Sequence, residues 1–256
     1  MTDKKVEKKE EKPRSEDFNG TIDMLCFGAH PDDCELMAGG TIIKTIQNGY
    51  KVGIVDMTRG EMGTRGSVEI RQKEADCASC KMGVVHRENL DIPDTMVLPT
   101  LENRNKIIEV IRRLKPTVVM APWIEQRHPD HNHASDLVRE ACFFSGLRKY
   151  PLEQEPHRPR KIIYYLPYTW NVEPSFFVDI TGQFEMKLQV IQCYHSQFID
   201  IKATLHFSPY VEGLLERIRH YNGFYGRAAR VKYAEGFMMR EPRLVNNVME
   251  IDVPSY

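Results

Sequence analysis

The chain has 256 residues, 41% of them apolar, and an almost balanced charge, with 35 Lys and Arg against 36 Asp and Glu. That much apolar side chain excludes a wholly disordered, collagen-like or low-complexity protein. A formal net charge of −1 removes the general electrostatic case for nucleic acid or an anionic membrane as partner.

Residues 1–20 form a charged tail: positions 1–17 hold six basic and six acidic side chains, and Val6 is almost the only apolar one. Such a segment buries too little to offset its ordering entropy and is expected to be disordered. It has no apolar stretch of the kind a secretory signal needs, and no part of the chain approaches the ~20 apolar residues of a membrane span. Six cysteines are too few for a disulfide scaffold at this length. A cytoplasmic protein with reduced thiols is the expectation.

Residues 21–256 then read as one domain. Ile22–Ala29 is a buried strand, Glu35–Gln47 a helix closed by Gly49, and Lys51–Thr58 a second strand. The stretch TRGEMGTRGS, with three glycines, is a loop of functional length. Glu69–Met82 is a helix stopped by Gly83, and Val84–Leu90 a third strand. Asn103–Lys115 places Ile107, Ile108, Ile111 and Leu114 on one helical face before Pro116. Thr117–Ala121 is a short strand and His133–Ser145 a helix. This alternation predicts an α/β, Rossmann-like, mostly parallel sheet with helices on both faces. An elaborated C-terminal portion follows, with strands at Lys161–Leu166 and Phe176–Ile180 and helices at Glu185–Tyr194 and Val211–Tyr221.

Two polar clusters follow predicted strands. His30-Pro31-Asp32-Asp33-Cys34-Glu35 leaves the first, and His128-Pro129-Asp130-His131-Asn132-His133 leaves Thr117–Ala121. Ligands of open parallel sheets bind outside the carboxyl ends of the strands, so the two clusters are placed to converge. Helix capping accounts for one aspartate of the first cluster, but not for a histidine and two aspartates together. Imidazoles and carboxylates without cysteine suit Zn²⁺, and also Fe²⁺, Co²⁺ or Ni²⁺. Of the adjacent Asp32 and Asp33, one should bind metal while its neighbour faces the substrate.

AHPDDCELMAGG (29–40) together with HPDH (128–131) resembles the LmbE/PIG-L family of metal-dependent N-acetylglucosamine deacetylases. The likeness runs from about Ile22 to Asn247. Through TRGEMGTRGSVEIRQKEA, DIPD (91–94), YHSQF (194–198) and VKYAEGFM (231–238) it looks most like the bacillithiol-pathway deacetylase branch. The resemblance implies one divalent ion, most simply Zn²⁺, on His30, Asp33 and His131. It implies Asp32 as general base, His128 as oxyanion or proton donor, and Asp130 as support for a histidine. Substrate contacts fall on Arg71 and Asp94, the substrate being a small acetamido-sugar conjugate such as N-acetylglucosaminyl malate. Relatives of that branch form homo-oligomers, including hexamers.

An amide is a poor electrophile, so a Lewis acid and a positioned base are what its hydrolysis needs. Two rivals share the donor set. A non-haem iron enzyme with two histidines and one carboxylate would be expected on an all-β core, and a metal-dependent sugar-binding module without catalysis would not need Asp32. Arg59 and Arg65 beside the glycine loop are as readily solvated as substrate-facing. Cys77 and Cys80 fall late in their predicted helix and read as packing residues rather than a redox pair. Cys34, His133 and His195 are left out of the site.

Overall fold

The computed structural model describes residues 20–168, 172–198 and 213–250. The charged tail therefore lies, Gly20 apart, outside the described residues, as do His206 and the start of the helix expected from Val211.

Strand β1 (Met24–Gly28) is buried throughout, and its period of two sends alternate side chains to opposite cores. Leu25 and Phe27 join Ile107, Ile111, Leu137 and Val138 on one side. Met24 and Cys26 join Ile42, Ile54, Ala75 and Ala78 on the other. A strand apolar on both faces must be covered on both, which is why it reads as a continuous apolar run. Helices α1 (Asp33–Gln47) and α2 (Val68–Met82) cover one face. Helices α3 (Leu101–Leu114) and α4 (Pro129–Phe144) cover the other.

The remaining strands are β2 (Val52–Asp56), β3 (His86–Asn89), β4 (Val118–Pro122), β5 (Lys161–Tyr165), β6 (Phe176–Asp179) and β7 (Ala234–Met238). They form one seven-stranded sheet in the order β3-β2-β1-β4-β5-β7-β6. From β3 to β5 every neighbouring pair is parallel, and β7 runs antiparallel to both β5 and β6. The chain leaves β1 toward β2 and β3, then returns to its other flank at β4. The strand order reverses there, and the carboxyl ends of β1 and β4 border the resulting crevice. The expected doubly wound α/β architecture is the one observed.

Differences from the sequence reading have local causes. Helix α4 starts at Pro129 rather than His133, because His128 takes the N-cap and proline suits the first helical position. Beyond β6, α5 (Phe184–Ile191) ends short of Tyr194, a single turn α6 spans His195–Phe198, and α7 (Leu214–Ala228) runs past Tyr221. The residues of β7, AEGFM, carry a glutamate and a glycine and give no strand signal. Cys77 and Cys80 are exposed, so the packing role expected of them fails.

β7 is held by a buried ion pair. Lys187 Nζ on α5 lies 2.6 Å from Glu235 Oε1, with neither side chain accessible to solvent. The Glu235 carboxylate also accepts the backbone N–H groups of Gly40 and Thr41 on α1, at 2.9 and 2.7 Å. Lys187 further donates to Asn222 Oδ1 of α7 at 3.2 Å. One charge pair thus joins α1, α5, α7 and β7. Removing one partner strands the other in a low-dielectric interior, so Lys187→Met should lower unfolding free energy by about 3–5 kcal/mol in urea denaturation. An unchanged midpoint would show that the charges are solvated.

Candidate metal centre and active site

β1 ends at Gly28, where a Cβ would stand 3.0 Å from the His30 carbonyl oxygen and 3.3 Å from Asp33 Cβ. A side chain there would press on the turn by a few tenths of an ångström, and glycine lets the chain fold back without that. Asp32 then sits at φ 119°, a conformation that costs a non-glycine residue about 1–3 kcal/mol and persists only where its surroundings enforce it. Although Asp32 holds the N-cap position of α1, its side chain makes no capping hydrogen bond. Asp33 Oδ2 instead accepts the His30 backbone N–H at 2.9 Å. The turn closes on itself and turns His30 and Asp33 toward one point.

The second cluster reaches the same point from β4. His131 Nε2 lies 3.3 Å from His30 Nδ1 and 3.3 Å from Asp33 Oδ1. His30 Nδ1 lies 3.7 Å from Asp33 Oδ2. Donor atoms bound tetrahedrally at roughly 2.0–2.2 Å stand roughly 3.3–3.6 Å apart, and one donor atom from each of these three residues lies within 4.8 Å of the other two, so the group can close on a small divalent ion. A second grouping, His30, His128 and Asp130, lies beside it and shares His30.

The far side of each imidazole is also fixed. His30 Nε2 is 3.0 Å from Asp94 Oδ1 and 3.5 Å from Asp130 Oδ2. Asp94 is held in turn by the backbone N–H groups of Met62 (3.0 Å) and Thr95 (2.8 Å). His131 Nδ1 donates to Gln126 Oε1 at 2.7 Å, and Gln126 Nε2 donates to the Trp123 carbonyl at 3.1 Å. An imidazole that donates from one nitrogen presents a lone pair from the other, the usual support of a metal-binding histidine. Gln126 belongs to no recognised motif, and sequence reasoning missed it; its place on the strand-end loop five residues before His131 was the only signal.

The electrostatics favour a cation at the centre. Burial opposes a charged imidazole, but hydrogen bonds and charge from Asp33 and Asp94 win and push His30 up to about 10. His131 is raised too, with Asp33 overcoming burial. Burial likewise works against an ionised Asp33, yet His131 and His30 hold its carboxyl well below the usual range.

Asp32 faces a different environment. Burial, partly offset by Arg71 and reinforced by neighbouring Asp33, pushes it up to about 7. Arg71 Nη2 donates to Asp32 Oδ2 at 2.9 Å and to the Pro31 carbonyl at 2.8 Å, and its Nη1 reaches the Gly60 carbonyl at 3.3 Å. The guanidinium packs flat on Gly60, where a Cβ would lie 2.3 Å from Nη1. Among the described residues none donates to the other oxygen of Asp32. Arg71 and Asp94, expected at the substrate, are 6% and 7% exposed and point at the base and at His30.

His128 caps α4: its Nδ1 accepts the Asp130 N–H at 3.2 Å. That bond places the proton of a neutral ring on Nε2. Burial and the neighbouring His30 and His131 lower its pKa, which favours the neutral ring. Its ring centre lies 4.7 Å from that of His30. Asp130 is buried, its Oδ2 accepting the Thr95 N–H at 2.8 Å and lying 3.5 Å from His30 Nε2.

Below the site, Arg87 bridges Asp56 (2.7 and 2.9 Å) and Glu35 (2.6 Å), and Tyr194 Oη donates to Glu35 at 2.8 Å. This buried lattice props the first turn of α1. Cys34 packs into the apolar core, His195 is exposed, and Arg59 pairs with exposed Asp91 at 2.5 Å.

The family model for PIG-L, GlcNAc-PI de-N-acetylase, matches residues 25–142. Over 237 residues the chain is 34% identical to diacetylchitobiose deacetylase of Thermococcus kodakarensis, covering 87% of this chain and 84% of that protein. The crystal structure of the conserved protein TT1542 from Thermus thermophilus superposes with a TM-score of 0.79 and 37% identity, over 88% of this chain and 97% of that one. The chain belongs to the PIG-L/LmbE family. Two more distant relatives also match. One is 4-oxalmesaconate hydratase of Pseudomonas putida, 25% identical over 88% of this chain and 91% of that one. The other is a probable N-acetyl-alpha-D-glucosaminyl L-malate deacetylase 2 of Bacillus anthracis, 27% identical over 76% and 89%.

If Asp94 and Gln126 orient the two imidazoles, Asp94→Asn and Gln126→Leu should each weaken divalent-metal affinity by about 10–100-fold in a chelator competition titration. Affinity equal to wild type in both would mean that the rings are oriented by something else.

Proposed function

We propose that the protein is a metal-dependent deacetylase that hydrolyses the acetamide of an N-acetylglucosaminyl sugar. The convergence of His30, Asp33 and His131 beside an Arg71-anchored Asp32 is the observation that carries this reading. Two imidazoles and one carboxylate suit Zn²⁺ among the divalent ions, with positions left for substrate and solvent. A divalent ion bound there supplies a Lewis acid that polarises the amide carbonyl and acidifies water.

The chain's own groups do the rest. Asp32, in its carboxylate form, accepts the proton of the attacking water while Arg71 holds its other oxygen in place. The same carboxyl returns that proton to the nitrogen as the C–N bond breaks, giving acetate and a free amine. His128 donates its Nε2–H to the carbonyl oxygen as negative charge develops, a contact worth about 3–4 kcal/mol in comparable sites. Arg71 and Asp94 act in this scheme as positioning residues, one on the base and one on a metal-binding ring. Asp130 backs His30 beside Asp94.

The relative of 34% identity is named for diacetylchitobiose, so a second amino sugar is the first aglycone to test, with malate next. The hydratase relative supports a second reading, in which the same ion and base add water to a carbon–carbon double bond. A non-haem iron oxygenase gains no support from a doubly wound sheet, and a non-catalytic binding module gives Arg71 and Asp32 no task.

Metal-replete enzyme should release one acetate per amine from diacetylchitobiose or a related N-acetylglucosaminide. Metal binding without acetate from any such substrate would refute the reading, and turnover of an unsaturated dicarboxylate would favour the hydratase. Asp32→Asn should keep its metal and lose about 10²–10⁴-fold in kcat. His131→Ala should lose metal and activity together. Near-normal kcat in Asp32→Asn would remove Asp32 from the role of base.

A further inference from the structure

Away from the metal centre, two thiols from distant parts of the chain meet. Cys77 on α2 and Cys193, between α5 and α6, place their sulfurs 2.7 Å apart. That is closer than non-bonded sulfurs rest, and about 0.7 Å beyond the 2.03–2.05 Å of a disulfide bond. Cys77 is exposed and Cys193 half-buried, so solvent reaches the pair.

The approach is fixed by independent contacts. Three residues before Cys77, buried Glu74 accepts the Ser196 backbone N–H at 2.6 Å and the Ser196 hydroxyl at 2.8 Å. Next to Cys193, the Tyr194 hydroxyl is locked between Glu35 and Arg87 at 2.8 and 3.0 Å. The segment carrying Cys193 is thus tied to the interior on one side and to α2 on the other, and the two sulfurs are held together rather than meeting by chance. Cys80, one helical turn after Cys77, is also exposed and supplies a competing thiol.

We propose that Cys77 and Cys193 are a redox couple that closes into an intrachain disulfide in the presence of a peroxide. The exposed Cys77 reacts first: its thiolate attacks a peroxide oxygen, the O–O bond breaks, and Cys77 becomes a sulfenic acid as hydroxide leaves. The Cys193 sulfur then attacks the Cys77 sulfur, forming the S–S bond; its proton and the departing hydroxyl leave as water. Overall two thiols and one hydrogen peroxide give one disulfide and two waters.

The bond would clamp a wall of the site. Gln197 Nε2, four residues after Cys193, donates to the Arg65 carbonyl at 2.7 Å, and a Cβ on Gly66 would stand 2.7 Å from Ser196 Oγ. The turn Tyr194–Phe198 therefore supports the glycine loop on which the Arg71 guanidinium rests. Linking residues 116 positions apart also removes much of the freedom of the unfolded chain.

Full-length protein, reduced and freed of reductant, is treated with hydrogen peroxide and mapped by non-reducing peptide mass spectrometry. A Cys77–Cys193 peptide should appear, two titratable thiols should vanish, and a dithiol should restore both. The thermal midpoint should rise by about 5–10 °C on oxidation and fall back on reduction. Cys80→Ser should keep the cross-link. Cys193→Ser should abolish it and leave Cys77 trappable by dimedone. A Cys77–Cys80 link, links only between molecules, or Cys77 and Cys193 both recovered unlinked would overturn the proposal. A cross-link with no rise in midpoint would overturn its clamping role.

Discussion

Three groups that prefer opposite charges are crowded within 3.3–3.7 Å of one another at the reversal point of the sheet. Asp33 draws charge onto His30 and His131, and they keep it ionised in return. The β1–α1 turn, the N-terminus of α4 and the loops bearing Asp94 and Gln126 are all arranged around this triangle. Such a centre is expensive to build without a cation, since buried charge must be matched by partners and hydrogen bonds. The strained Asp32, the glycine at position 28 and the Arg87 lattice beneath α1 are the supports that hold it.

Asp32 and Asp33 are chain neighbours with opposite electrostatics. Asp33 faces two imidazoles, which hold its carboxyl well below the usual range. Asp32 faces one guanidinium and a largely desolvated turn, and titrates near neutrality. The positive φ of Asp32 is what separates them, because it turns one carboxylate toward α2 and leaves the other over the crevice. A similar division holds at the other cluster. His131 is bound by a side-chain amide and presents Nε2 inward, while His128 is bound by a backbone N–H and carries its proton on Nε2.

Much of this was legible in the sequence. The alternation of apolar runs and helical faces gave the parallel sheet. The strand-end position of the two polar clusters gave their convergence, and the family resemblance singled out His30, Asp33 and His131 within them. What stayed hidden depended on contacts between distant segments. β7 carries Glu235, whose buried charge is matched by Lys187 on α5, and no local propensity reports that partner. Gln126 lies in a loop of ordinary composition, and its task exists only because α4 begins at Pro129. Arg71 and Asp94 were visible as candidate residues, but their hydrogen bonds to Asp32 and His30 were not, because those depend on how distant loops meet. Cys77 and Cys80 read as packing because helical spacing places them on one face, and spacing alone does not say which face meets solvent.

Crystals grown with zinc and measured on either side of the zinc absorption edge would show whether the two strand ends share one ion. One strong anomalous peak per chain is expected, about 2.0–2.2 Å from His30 Nδ1, an Asp33 oxygen and His131 Nε2. A peak seated instead on His128 and Asp130, or none between the two strand ends, would contradict it.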